Sequence, residues 1–207
     1  GRNDTMIPAA AWRAKPVVCN PEGALRTMSE MTSHGMYAAP DHDERARQDF
    51  VASLREHLAR VIAPGNWEIY ESKIKPRLLR DGAGEPKDRA DAARIMTQND
   101  YYQTYSCIQR CSQEMMWDSV IDTVERSLPD LIGKAEAYAA EAKGSLRLDP
   151  GVEVPSYITQ YDIHLQPGGY LPGYCEGDVA AGALYDRAAQ LYAIGVWGPN
   201  VDYLGRS

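Results

Sequence analysis

Asp100-Tyr-Tyr-Gln-Thr-Tyr105-Ser-Cys107-Ile108-Gln-Arg-Cys111-Ser-Gln113-Glu114-Met115-Met116-Trp117-Asp118-Ser-Val120-Ile121-Asp-Thr-Val124-Glu-Arg-Ser-Leu128 is the stretch that decides the fold. It contains no proline or glycine, and its large apolar residues recur three and four apart. Trp117, Val120, Ile121, Val124 and Leu128 make one stripe, and Tyr101, Tyr105 and Ile108 make an earlier one. That period belongs to an amphipathic helix with a buried face. Pro129 is read as the start of another helix, with Leu131, Ala135, Tyr138, Ala139 and Ala142 inward and Gly144 as its stop.

The helical texture extends towards the N-terminus as far as Asp41. Asp41 and Glu44 have capping-box spacing. Phe50, Leu54, Leu58, Val61 and Ile62 follow as a candidate inward face, and Pro64-Gly65 is read as its end. Asn66 is a candidate N-cap for a helix with Trp67, Ile69, Tyr70 and Ile74, limited by Pro76. After the loop Asp81-Gly82-Ala83-Gly84, a charged helix is expected from Glu85-Pro86 to about Met96. Residues 1–40, punctuated by prolines and glycines, read as an extended arm.

Beyond Gly144 the pattern changes period. Residues 145–150 alternate like a short strand, and residues 157–164 alternate again with β-formers. Gly177 or Asp178 opens a last helix to about Ile194. The expected fold is mainly α: a helical bundle over 41–144, an arm over 1–40, and a small C-terminal α/β element of two or three short strands over 145–207.

Bulk numbers bound the function. A chain of 207 residues can bury a core, and 44% hydrophobic with 25% charged residues is ordinary for a globular protein. The net charge of −7 argues against nucleic acid as a partner. No apolar run has the length of a membrane span, and no secretory h-region opens the chain, so a cytoplasmic location is expected. Thirteen tyrosines against one phenylalanine leave many apolar rings with polar tips, suited to a moderately polar pocket or the rim of a core.

Candidate chemistry concentrates near the C-terminal end. On a strand, Asp162 and His164 would share a face. A carboxylate beside an imidazole fixes its tautomer and prepares a general base, and the glycine turn at Gly168-Gly169 leaves room for a ligand. The plainer alternative is a histidine bonded to backbone at a strand end. Glu176, Asp178 and Asp186 add carboxylates, but Asp178 is first of all an N-cap and Asp186 suits a surface pair, so no metal is assigned. In the long helix, Gln113 and Trp117 lie four apart and could line a pocket; the alternative is a helix with one wet face. Cys107 and Cys111 are also four apart and read as buried thiols. No S-adenosylmethionine-type glycine loop, P-loop, nucleophile elbow or His-Glu-x-x-His is present.

The run Tyr157-Ile-Thr-Gln-Tyr161-Asp162-Ile163-His164-Leu-Gln-Pro-Gly168-Gly169-Tyr170, the segment Asp178 to Arg187 and the exit Gly198-Pro199-Asn200-Val-Asp202-Tyr-Leu-Gly205 resemble the N-terminal region of bacterial proteins whose C-terminal half is a class I S-adenosylmethionine-dependent methyltransferase domain. Gln113-Glu114-Met115-Met116-Trp117-Asp118-Ser119-Val120 belongs to the same resemblance, which runs from about Asp41 to the end. It implies an accessory substrate-recognition or lid portion without its own cofactor site. S-adenosylmethionine would be supplied by a missing C-terminal domain or a protein partner. Tyr161, Tyr170, Tyr185, Gln113 and Trp117 would face a small-molecule substrate, with His164 and Asp162 as the catalytic pair. A structural or assembly subunit, and a small enzyme using His164 and nearby carboxylates alone, are the other two readings.

Overall fold

Asp41 starts the first helix as its spacing predicts. Its carboxylate accepts from the Glu44 backbone N–H at 2.8 Å, and Glu44 Oε2 accepts from the Asp41 N–H at 2.9 Å. This reciprocal box satisfies two backbone donors that a helix start leaves orphaned. The structure, a computed structural model, describes residues 34–145, 147, 149, 151–167 and 179–192, all within the compact unit Thr32–Ser207. The expected arm falls outside these residues except for its last few.

Helix α1 spans His42–His57. The chain does not leave the helix at Pro64-Gly65. It passes through a π-helical turn, Leu58–Ile62, into α2, Ala63–Ile69, then through a second π turn, Tyr70–Ile74, into α3, Lys75–Arg80. Each π turn immediately precedes a proline near the start of the next segment, Pro64 and Pro76. A proline has no N–H to give and its ring crowds the carbonyl one turn back. A widened turn removes that conflict without ending the helix. Asn66 is therefore not an N-cap; its Nδ2 donates to the Ala63 carbonyl at 3.1 Å.

Helix α4, Arg89–Met96, is capped by Asp88 and starts later than Glu85-Pro86. Helix α5, Asp100–Glu141, is capped by the Asn99 side chain. At 42 residues it is the spine of the fold, and Pro129 lies inside it rather than starting a new helix. Tyr101 Oη donates to the Ile62 carbonyl at 2.7 Å and so ties the start of α5 to the first π turn. Gly65 makes this possible: a Cβ there would lie 2.1 Å from that hydroxyl oxygen.

Residues 157–164 do not form a strand. Ser156–Thr159 is a single helical turn, α6, and Ile163–Leu165 a 3-10 turn. The alternation of β-formers is overridden because no neighbouring strand is available among the described residues, and an isolated strand leaves its backbone groups unpaired. The expected strand over 145–150 lies partly outside the described residues. Helix α7, Ala180–Tyr192, packs on α5 and α1. The fold is mainly α-helical, with its core where α1, α5 and α7 meet.

That core is part apolar and part polar. Met116, Trp117, Val120, Val124 and Leu131 of α5 meet Ala180, Leu184, Ala188 and Leu191 of α7 as buried residues. The Trp117 stripe is thus core as read, although Ile121 and Leu128 are only half-buried. Helix α1 differs from its expected face. Leu58 is buried, but Phe50 is 59% and Val61 57% exposed, and the face turned inward is Glu44, Gln48, Val51 and Arg55. At the far end of α5, Tyr138 is exposed rather than inward.

Candidate functional site

The seam between α1, α5 and α7 is held by two polar clusters, a larger one centred on Gln48 and a smaller one at Arg55 and Ser112. Glu44, Gln48 and Arg55 lie on one face of α1 because they are four and seven residues apart. Ser112, Ser119 and Thr123 face them from α5, and Arg187 from α7; all six of these and Arg187 are buried. Gln48 is the junction. Its Oε1 accepts from Arg187 Nε at 3.0 Å and, in a shorter contact, from Arg187 Nη2. Its Nε2 donates to the Ser119 carbonyl at 3.0 Å and to Thr123 Oγ1 at 2.9 Å. Thr123 in turn donates to Glu44 Oε2 at 3.0 Å.

The charges at the two ends of the larger cluster are handled differently. Glu44 accepts from Arg126 Nε at 3.0 Å and Nη2 at 2.6 Å, a bidentate pair. The Arg126 guanidinium, with help from the Asp41 N–H and Thr123, outweighs burial and holds the Glu44 carboxyl at about 2. Among the described residues no carboxylate is hydrogen-bonded to Arg187; Asp186 acts on it only as a nearby charge. Arg187 Nη1 donates to Tyr37 Oη and Gln190 Oε1, both at 2.6 Å, and its guanidinium lies 5.2 Å from the Tyr37 ring centroid. Burial is the main influence lowering its pKa. A fully buried cation is thus surrounded by neutral oxygens and a π face, an arrangement that compensates desolvation by hydrogen bonding rather than by an ion pair.

Arg55 is the second buried cation of the seam. Its Nη1 donates to Ser112 Oγ at 3.2 Å, and the Tyr192 ring centroid lies 4.8 Å from its guanidinium carbon. Its Nε is buried without a hydrogen-bond partner. Burial lowers its pKa, and burial also raises that of nearby Tyr105.

The residues singled out from sequence are brought together only in part. Gln113 Nε2 and Trp117 Nε1 both donate to the His164 carbonyl, at 2.5 and 2.8 Å. His164 itself is in the left-handed region, φ 55° and ψ 20°, followed by Leu165 at φ 59°. Left-handed backbone costs a non-glycine residue on the order of 1 kcal/mol or more. Here it turns the His164 carbonyl towards α5, where two side-chain donors hold it. Gln113 and Trp117 thereby act as a clamp on the 163–166 segment, and Gln166 Nε2 adds a bond to the Ala181 carbonyl at 3.2 Å. Because residues 157–164 form no strand, Asp162 and His164 do not share a strand face. Asp162 and Tyr161 are exposed, and so is Tyr185. Tyr170, Gly168-Gly169, Glu176 and Asp178 lie outside the described residues. Asp186 Oδ2 lies 3.1 Å from His34 Nε2 on the surface.

Cys107 and Cys111 are free and exposed, not buried. Among the described residues, no group of three or more His, Cys, Asp or Glu side chains is arranged to hold a metal. No described helix is long and apolar enough to cross a membrane.

A groove of about 400 Å³ runs along α1 and α5. Ala46, Arg47, Phe50 and Val51 line it from α1, and Met115, Asp118 and Ser119 from α5. The seam residues Glu44, Gln48, Arg55 and Arg187 were not read from sequence as a site. Their signal is the recurrence of small hydroxyl residues at Ser112, Ser119 and Thr123, in an otherwise apolar helix face, opposite an α1 face that is equally polar. Comparison of the chain with family models, with curated proteins and with solved structures finds no match.

Proposed function

We propose that this chain is an accessory recognition module, the substrate-recognition or lid portion of a methyltransferase-like system whose chemical core lies in another domain or a partner. The observation that carries the recognition role is the α1/α5 groove. Phe50 stands 59% exposed at its edge, with Met115 facing it from α5. Arg47, paired with Asp122 at 3.0 Å, and Asp118 supply charges beside these apolar side chains. Aromatic area left outside the core and set in a concave seam suits docking. The cluster around Gln48 supports the same reading, because Glu44, Gln48, Thr123 and Arg187 are committed to one another or to their neighbours and serve to fix the helices.

The link to methyl transfer is supported by the sequence resemblance of Gln113–Val120 and of the runs between Tyr157 and Gly205. S-adenosylmethionine would be bound by the core, while this chain positions what the core acts on. A cytoplasmic setting fits the free thiols of Cys107 and Cys111. The test is the native mass of the chain isolated from its own cells. It should exceed the mass of the same polypeptide measured under denaturing conditions. The Phe50→Glu variant should return to the mass of the chain alone with its urea midpoint unchanged. A Phe50→Glu chain that keeps its complex refutes the groove as the docking surface.

A further inference from the structure

The seam holds two buried guanidiniums, and only one of them is closed. Arg187 is saturated: Nε and Nη2 both donate to Gln48 Oε1, and Nη1 donates to Tyr37 and Gln190. Arg55, 4% exposed, donates only from Nη1, to Ser112. Its Nε–H has no acceptor. Among the described residues no carboxylate pairs with it; the adjacent Glu56 is bound to Arg60 at 3.0 Å. The Nε and Nη2 hydrogens form the planar fork that takes a carboxylate through two parallel bonds. Leaving a buried donor of a charged group unmade carries a desolvation cost of about 1–3 kcal/mol or more, and native proteins avoid it unless the group serves something else.

We infer that Arg55 is a receptor for a small monocarboxylate, which binds through the Nε/Nη2 edge with Ser112 holding the opposite side of the guanidinium. Tyr192 covers the face of the guanidinium, while its own side chain is partly open to solvent, with the residue 43% exposed. Its ring is the part of the site nearest to solvent. A planar, singly charged ion fits this edge better than a tetrahedral dianion, because one guanidinium supplies one positive charge and one pair of parallel donors. The inference is independent of whether the α1/α5 groove takes a partner.

The experiment follows the Arg55 Nε–H resonance by NMR in the full chain. Sodium acetate, sodium benzoate and inorganic phosphate are titrated against sodium chloride at constant ionic strength. Acetate and benzoate should shift the resonance and saturate at one ligand per chain. Arg55→Lys keeps the charge but loses the fork, and should weaken binding at least about tenfold. Tyr192→Ala removes the cover and should tighten binding severalfold. A shift linear in acetate, equal binding by Arg55→Lys, or phosphate binding more tightly than acetate would each overturn the assignment. If Arg55→Lys fails to fold, the saturation and anion order of the unaltered chain decide the matter alone.

Discussion

Replacing Glu44 by glutamine should make the stability of this protein much less dependent on acid. The carboxyl falls from 4.5 to about 2 on folding, chiefly through its hydrogen bonds with Arg126. At roughly 1.4 kcal/mol per pH unit this amounts to about 3 kcal/mol. The Glu44 side chain is 5% exposed, but that of Arg126 is 48% exposed, so water screens part of the pair and roughly 2–3 kcal/mol is expected. The sign follows from the direction of the shift. A depressed carboxyl stabilises fully above its unfolded value of 4.5, and that contribution is lost as the pH falls towards 2. Urea unfolding of the natural chain and Glu44→Gln, compared from neutral pH down to about 2.5, reads this directly. The natural chain should lead by roughly 2–3 kcal/mol at neutral pH, and the lead should shrink by about 1 kcal/mol per unit below about 4.5. Parallel curves across that window would refute the account of the pair, since all other carboxyls are common to both proteins.

Three further outcomes follow from the packing. Gln48→Leu removes the acceptor of two Arg187 donors and should cost about 3–5 kcal/mol by chemical denaturation, with Gln48→Leu/Arg187→Leu regaining most of it; a double variant no more stable than the single one would refute this. Trp117→Ala should cost about 3–5 kcal/mol and Trp117→Phe about 1–2, and both should speed proteolysis near residue 164 because the clamp on its carbonyl is lost; a loss under about 1 kcal/mol for alanine would place the ring outside the core. Gly65→Ala should destabilise the protein even though alanine favours a helix by about 1 kcal/mol, because its Cβ meets the Tyr101 hydroxyl at 2.1 Å; a raised urea midpoint would show that Tyr101 moves aside freely.

The readable parts of the sequence were those where one local rule acts alone. Asp41 with Glu44, and the Trp117–Val124 stripe, carry their meaning within one or two helical turns. The long-helix reading stopped short at Pro129, because a proline can sit inside a helix when the local turn tolerates it. Helix α1 was misread for a different reason. Hydropathy assumes that the inward face is the apolar one, and here Gln48 and Arg55 are inward while Phe50 is outward. That inversion depends on Ser112, Ser119, Thr123 and Arg187, which lie at least 57 residues away in sequence. Residues 157–164 have strand-like alternation but no pairing partner among the described residues. The sequence draws attention to the His164 ring, and nothing in it marks the His164 carbonyl as the acceptor of two α5 donors. The role of the Asp162 and His164 side chains had rested on a strand geometry that the chain does not adopt.

The paired π turns have a consequence for the phase of the first helical rod. Sixteen residues separate Leu58 from Ile74, and both are buried. In an unbroken α-helix, at about 100° per residue, they would point some 160° apart. Each π turn takes in one residue more than an α turn. Two such insertions leave fourteen effective steps and bring Ile74 back to within about 40° of Leu58. The two prolines thus accompany a register correction that keeps one side of a long rod facing inward. Deleting a single residue from Leu58–Ile62 or from Tyr70–Ile74 would undo one step of it and rotate everything beyond the cut by about 100° relative to α1.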